Sequence, residues 1–170
     1  MKLRIAQAWG QKKAKARVAA GVLLVSGWAG LLGAAGPTAD SRVVEAIERG
    51  DRDAAVRLVR SKADVNAPAA DGMSALAWAA HQDDVELADL LLRAGANVNT
   101  ANEYGVTPLS LACTNGNAAM VDRLLKAGAN PNTVLKASGE TPLMTAARTG
   151  NIAVVRALLA AGADADRKST

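Results

Sequence analysis

The stretch GVTPLSLACTNGNAAMVDRLLKAGANPN, residues 105–132, decides the fold because it contains two helices together with the signals that start and stop them. Thr107 can cap a helix whose first position is Pro108, where the missing backbone N–H costs nothing. Gly116 supplies a positive-φ stop for this helix. The apolar residues between these signals have three- and four-residue spacing and therefore share one helix face: Leu109, Ala112 and Cys113.

The second half of the stretch predicts a second helix, from about 118 to 127, that stops at Gly128. The polar, turn-rich segment 130–139 then predicts a hairpin-like loop that reaches the next unit. One such helix pair carries too much apolar surface to stand alone, so neighbouring pairs must stack. The residues that form the apolar face of the second helix are Met120, Val121, Leu124 and Leu125.

The same pattern recurs along the chain. The tetrapeptides ADVN, ANVN, ANPN and ADAD end at Asn66, Asn99, Asn132 and Asp166, in steps of 33, 33 and 34 residues. A fixed period of this size indicates stacked supersecondary units.

These residues closely resemble the ankyrin repeat, whose units start with Gly-x-Thr-Pro-Leu, as residues 105–109 and 139–143 do. The resemblance implies an all-α solenoid of about four helix-turn-helix units with hairpin-like loops over residues 40–166. The unit boundaries fall at about 40–68, 69–101, 102–134 and 135–166, with a tail at 167–170.

Several positions depart from that pattern. Residues 74–76 read Ser-Ala-Leu in place of Thr-Pro-Leu, and Asp83 stands where the first helix would end in Gly. Lys62 occupies a position that is Gly in the other units, so it must adopt a left-handed conformation or alter the turn. Because the first unit lacks the loop, we expect it to be an N-terminal cap with a polar outer face. One extra residue near Leu135 predicts a bulged fourth loop.

Residues 1–39 have the order of a secretory signal: six basic residues, then an apolar run at 18–35, then small residues. We expect a hydrophobic signal helix that is cleaved after Ala35 or Ala39. The run is also at the lower limit of membrane-spanning length, so an uncleaved anchor is the alternative. A buried core helix, or a start codon assigned too early, is a third interpretation of this segment.

Both membrane interpretations place the basic residues in the cytoplasm and export the following chain. The expected location is the periplasm, or the inner membrane with the array facing the periplasm. A single cysteine, Cys113, agrees with an oxidising compartment because it cannot form an internal disulfide.

Composition and charge exclude several classes of protein. Half the residues are hydrophobic and there is no Phe, which argues against both a β-sandwich and a disordered chain. With six of the 20 basic residues in 1–39, residues 40–170 hold 14 basic against 16 acidic residues. The folded part therefore lacks a basic footprint, and no nucleic acid is expected as a partner.

No residue pattern predicts catalysis, a cofactor or a metal. His81 is the only histidine, and a typical zinc site needs partners at ligand spacing. Cys113 lies on a predicted buried face, where cysteine acts as a small hydrophobe, and Trp78 follows the apolar pattern of its helix. We expect a chain that is not an enzyme, with no cofactor and no metal.

The ankyrin resemblance implies that partner contacts come from the loop tips and the exposed part of the first helices. Tyr104, Met73 and Arg148 are expected to dominate these contacts, since Tyr and Arg are favoured at hot spots. The full set of predicted partner-binding residues is Asp71, Met73, His81, Gln82, Glu103, Tyr104, Val106, Thr114, Asn115, Ser138, Glu140, Arg148 and Thr149.

The sequence therefore predicts a non-catalytic, monomeric protein-protein interaction module that binds a protein partner in the periplasm and meets a membrane only through an uncleaved N-terminal segment. Two alternatives stay open: a membrane-anchored scaffold that assembles an envelope complex, and a secreted effector that acts on a host or neighbouring cell.

Overall fold

The computed structural model describes residues 40–166, which form four antiparallel helix pairs. Within this range the secondary structure is helical, with no strand. The first helices of neighbouring units pack on one another more extensively than the second helices do. The eight helices are α1 Arg42–Glu48, α2 Arg52–Arg60, α3 Ala75–His81, α4 Val85–Arg93, α5 Pro108–Asn115, α6 Ala118–Lys126, α7 Pro142–Thr149 and α8 Ile152–Ala160.

The predicted signal segment, residues 1–39, and the tail, residues 167–170, lie outside the described residues. Among residues 40–166, no helix has both the length and the apolar character needed to cross a membrane.

Side-chain caps fix where seven of the eight helices of residues 40–166 begin, all except α1. At the start of α5, Thr107 Oγ1 accepts a hydrogen bond from the Ser110 amide at 3.2 Å, and Ser110 Oγ accepts one from the Thr107 amide at 2.9 Å. Asn117 Oδ1 caps the partner helix by accepting from the Met120 amide at 3.0 Å. Caps of this kind satisfy backbone donors that a helix start leaves without partners.

Left-handed residues end the helices, as the sequence predicts. Gly116 has φ +74°. Asp83, which replaces glycine at the equivalent position of the second unit, keeps the same turn with φ +59°. Lys62 likewise adopts φ +62°, so the first unit accepts the strained conformation and leaves the turn unaltered.

The core runs through all four units and contains alanines and larger aliphatic residues from first and second helices alike. Ala79 and Ala112 are completely buried, and so are Leu91, Leu124 and Leu158 at one repeating position of the second helices. The small alanine side chains allow the extensive packing of neighbouring first helices on one another. Leu124 is buried and Leu125 is half-buried, in agreement with the predicted helix phase.

An asparagine ladder joins the units below the second helices. Asn99 Nδ2 donates to the Gly128 carbonyl at 3.0 Å, and its Oδ1 accepts from the Asn130 amide at 2.8 Å. Asn66 and Asn132 make the equivalent pair of bonds to their own following units. The 33-residue period seen in the sequence is therefore also the period of the inter-unit hydrogen bonds.

Candidate functional site

Three loops project beyond the first helices, and each is closed by backbone hydrogen bonds. The Ala69 amide donates to the Met73 carbonyl at 2.8 Å, and the Asn102 amide donates to the Val106 carbonyl at 3.1 Å. In the fourth unit the Leu135 amide donates to the Glu140 carbonyl at 3.0 Å, which spans one residue more. The predicted extra residue near Leu135 therefore lies inside the fourth loop and enlarges it.

Asn102 organises the tip of the third loop. Its buried side-chain oxygen accepts hydrogen bonds from the amides of Tyr104 and Val106, each at 3.0 Å. Its Nδ2 lies 3.7 Å from Met73 Sδ in the second loop. The side chain of Asn102 thus holds Tyr104 in place and ties the third loop to the second.

The third loop is also docked against the fourth. The Lys136 amide donates to the Tyr104 carbonyl at 3.0 Å. Gly105 has φ +79°, and a Cβ at that position would meet the Val134 carbonyl oxygen at 2.6 Å. Only glycine allows this approach of the two loops.

Tyr104 is the side chain that this framework presents to solvent. It is 50% exposed, although the loop beneath it is held from both sides. A hydrogen bond to the neighbouring Glu103 carboxylate raises the pKa of the Tyr104 phenol above its ordinary value. At neutral pH Tyr104 is therefore a neutral, amphipathic ring beside an acidic group.

The first helices contribute an exposed row one unit apart: His81, Thr114 and Arg148. The His81 ring meets the half-buried Trp78 edge-to-face, with the ring centroids 5.7 Å apart. Arg148 Nε lies 3.7 Å from Glu140 Oε1, so the helix row and the fourth loop are linked by charge. Arg148 of the helix row and Glu140 of the fourth loop are thus neighbours.

Two of the predicted contact residues use their side-chain amides for hydrogen bonds within the array. Gln82 Nε2 donates to the Ile47 carbonyl at 2.8 Å. Asn115 Nδ2 donates to the carbonyls of Ala80 and His81 at 3.1 and 3.0 Å. Both side chains connect their own unit to the preceding one, a role that the sequence analysis did not foresee.

Met73 corrects the expectation that its side chain is exposed. It is only 4% exposed and belongs to the continuous core. Val106 is half-buried and packs against the same core. Both residues follow the loop tip, where the chain turns back toward the first helix, and their apolar side chains are covered there.

The remaining predicted residues lie where the loops and helix ends meet solvent. Asp71 is half-buried, and its Oδ1 accepts from the Met73 amide at 3.0 Å. Thr149 is exposed, and its hydroxyl donates to the Ala146 carbonyl at 2.9 Å. Glu103 and Ser138 are exposed.

Sequence reasoning missed Lys136 and Leu111 on this face. Lys136 is exposed beside Tyr104, and the inserted residue of the fourth loop was the signal that could have drawn attention to it. Leu111 is half-buried one unit along from Trp78, at the same position of its first helix. Together with Trp78 it leaves a partly exposed apolar strip behind the loops.

The groups that could support chemistry are dispersed or inaccessible in the part of the chain that the structure describes. Residues 40–166 contain no cluster of three or more His, Cys, Asp or Glu side chains suited to a metal ion. Cys113 is fully buried, and burial raises the pKa of its thiol to about 12. A thiol in that state is a poor nucleophile.

Comparison with known families gives one result. The sequence model described as ankyrin repeats (3 copies) matches residues 43–135 and residues 105–169. A search of curated proteins found no match. The matched ranges include all four helix pairs.

Proposed function

Because this chain belongs to the ankyrin repeat family, we propose that it is an exported, non-catalytic module that binds a partner protein in the periplasm through its loop tips and first helices. Ankyrin repeats are generally protein-protein interaction modules, and the family is typically non-catalytic. The proposal includes the periplasmic compartment, the binding surface and a monomeric state.

The observation that carries the proposal is the half-exposed ring of Tyr104 on a loop tip held from both sides. Tyr supplies a large contact area at a low cost in side-chain entropy, and a rigid backbone lowers that cost further. The Glu103 carboxylate beside Tyr104, together with Asp71 on the second loop, suits a partner whose surface carries an apolar pocket with a basic rim.

Export is supported by the sequence of residues 1–39, which are basic and then apolar and contain no acidic residue. A reporter that becomes active only in an oxidising compartment, fused after Thr170, is expected to be active. Activity confined to the cytosol would refute export. Mass spectrometry of the mature N-terminus distinguishes a cleaved signal from the second candidate, a membrane-anchored scaffold that keeps its apolar run.

The binding surface is tested by capture with the intact protein from a periplasmic extract, followed by titration of the captured partner. Wild type and Tyr104→Ala are compared in parallel, with Arg57→Ala as a control because Arg57 is exposed on the first unit, away from the loops. Equal affinities for all three proteins would show that the contact face lies elsewhere.

A further inference from the structure

The fourth unit exposes apolar residues at positions that inner units bury. Leu76 and Leu109 are at most 1% exposed, whereas the equivalent Leu143 is only half-buried. Cys113 is fully buried, but its equivalent Ala147 is exposed. These positions are the ones that a following unit covers in the second and third units.

Helix α8 continues this surface. Ile152 is 68% exposed and Leu159 is 47% exposed, and the half-buried Val155 lies between them. The three- and four-residue spacing aligns them as a stripe along one side of the helix. We call the surface formed by Leu143, Ala147, Ile152, Val155 and Leu159 the fourth-unit face.

The opposite end of the array is built differently. In the first unit Glu45 and Arg49 are exposed on α1. A repeat surface that stays exposed normally needs such polar residues for solubility, and the fourth-unit face lacks them.

We propose that the fourth-unit face is a second docking surface, and that its occupant is an amphipathic helix of a partner protein with a carboxylate opposite Arg156. The proposal goes beyond the loop-face function and does not depend on it. Its first support is the form of the inner interfaces, in which the equivalent positions are covered by packed helices of the next unit.

The second support is charge. Arg156 occupies the position of Asp89, whose carboxylate forms an ion pair with Arg123 of the following unit. Arg156 forms no ion pair with any of residues 40–166, and its side chain is exposed. The charge at this position is reversed relative to Asp89 and Asp122, so a carboxylate on the occupant would complement it.

The same charge argues against a second copy of this chain as the occupant. Arg57 holds in the first unit the position that Arg123 holds in the third, so head-to-tail stacking would bring Arg156 toward Arg57. Pairing two α8 stripes about a two-fold axis would bring two Arg156 side chains together, since Arg156 lies near the middle of the stripe. Juxtaposed like charges disfavour both arrangements.

The test uses the full-length protein and two stapled helical peptides. Both peptides carry leucines at the i, i+3 and i+7 positions of one face; one has Glu beside this stripe and the other has Lys. The Glu peptide is expected to bind in the micromolar range, and the Lys peptide about tenfold more weakly. Arg156→Glu should reverse the preference, and Leu159→Lys should abolish binding of both peptides.

Leu159 is half-exposed, so Leu159→Lys should keep the melting temperature of the wild type, which the same samples report. Equal binding of the two peptides, no binding, or binding that survives Leu159→Lys in a folded protein would each overturn the proposal. Tyr104→Ala should leave peptide binding unchanged, so failure here is separate from failure of the loop-face proposal.

Photo-crosslinking distinguishes the competing occupants. A benzophenone maleimide attached at Leu159→Cys reacts selectively because the native thiol, Cys113, is fully buried. A crosslink to the Glu peptide supports the proposal. A dominant crosslink to a second copy, or to residues 1–39 of the same chain, would overturn it. Arg57→Cys, exposed on the first unit, is the matched control and should give no peptide crosslink.

Discussion

The amide of Lys136 donates a hydrogen bond to the carbonyl of Tyr104 across 3.0 Å, so the enlarged fourth loop supports the most exposed ring of the third. The close approach of the third and fourth loops depends on Gly105. This hydrogen bond joins the third and fourth loops into one continuous surface.

The first prediction concerns that glycine. Gly105→Ala combines a positive φ of +79° with a Cβ only 2.6 Å from the Val134 carbonyl oxygen. We expect a loss of about 1–3 kcal/mol in the free energy of unfolding, together with displacement of the Tyr104 loop. Denaturant titration measures the loss of stability. Hydrogen exchange of the Lys136 amide reports whether its bond to the Tyr104 carbonyl is kept.

Gly128→Ala is the matched control for the first prediction. Gly128 has φ +89°, but a Cβ there meets nothing within 4 Å. It carries the backbone strain without the clash, so it should cost less and leave the Lys136 amide protected. Equal effects of the two substitutions would show that the close approach of the loops contributes nothing.

The second prediction tests the stacked core. Leu124 is fully buried on α6 between the neighbouring second helices, and Leu124→Ala should cost about 2–5 kcal/mol. A domain of this size has roughly 5–15 kcal/mol in total, so the whole unfolding transition should shift to lower denaturant. Leu125→Ala, at the half-buried neighbour, should cost clearly less. A larger effect at Leu125 would contradict the observed helix phase.

Helix positions, caps and the repeat period could all be predicted from the sequence because each depends on local signals. Thr107, Pro108 and Gly116 lie within ten residues of one another and mark both ends of one helix. Lys62 marks the limit of such signals: alignment with three glycines predicted either a left-handed conformation or an altered turn, and the structure has the left-handed conformation.

The candidate site was harder to predict because its residues are arranged by contacts between units. Met73 reads as a loop residue, but Asn102 of the next unit packs against its sulfur. Asn115 reads as an exposed helix end, but its amide binds carbonyls 34 and 35 residues earlier. Spacing along one unit carries no information about such partners.

The third prediction concerns the asparagine ladder. Asn99→Asp keeps the oxygen that accepts from the Asn130 amide but removes the donor to the Gly128 carbonyl. The bond is solvent-exposed, so we expect a loss of about 0.5–1.5 kcal/mol by denaturant titration. Asp166 holds the same position in the fourth unit, and Asp166→Asn should leave stability unchanged. A stability gain from Asp166→Asn would contradict this account of the ladder.

The fourth prediction follows from the burial of Cys113, which raises the pKa of its thiol from 9.0 to about 12. The native thiol should resist iodoacetamide at pH 8, where only the unfolded chain has appreciable thiolate. Because the folded pKa is the higher one, Cys113 contributes stability fully below pH 9 and loses it progressively as the pH rises toward 12. Cys113→Ala should show a shallower decline over this window. Rapid native alkylation would contradict the burial.

The fifth prediction concerns the partner's main contact. Tyr104→Ala should weaken binding of the captured partner by about 1–3 kcal/mol, the range of a moderate hot spot. The ring is 50% exposed and its loop is held through backbone atoms and Asn102, so unfolding should change by no more than about 0.5 kcal/mol. A titration and a melting curve on the same protein measure both quantities. Tyr104→Phe keeps the ring and removes the hydroxyl, so it separates burial of the ring from the hydrogen bond at its edge. Lost stability with retained binding would make Tyr104 a packing residue and move the contact face toward His81, Thr114 and Arg148.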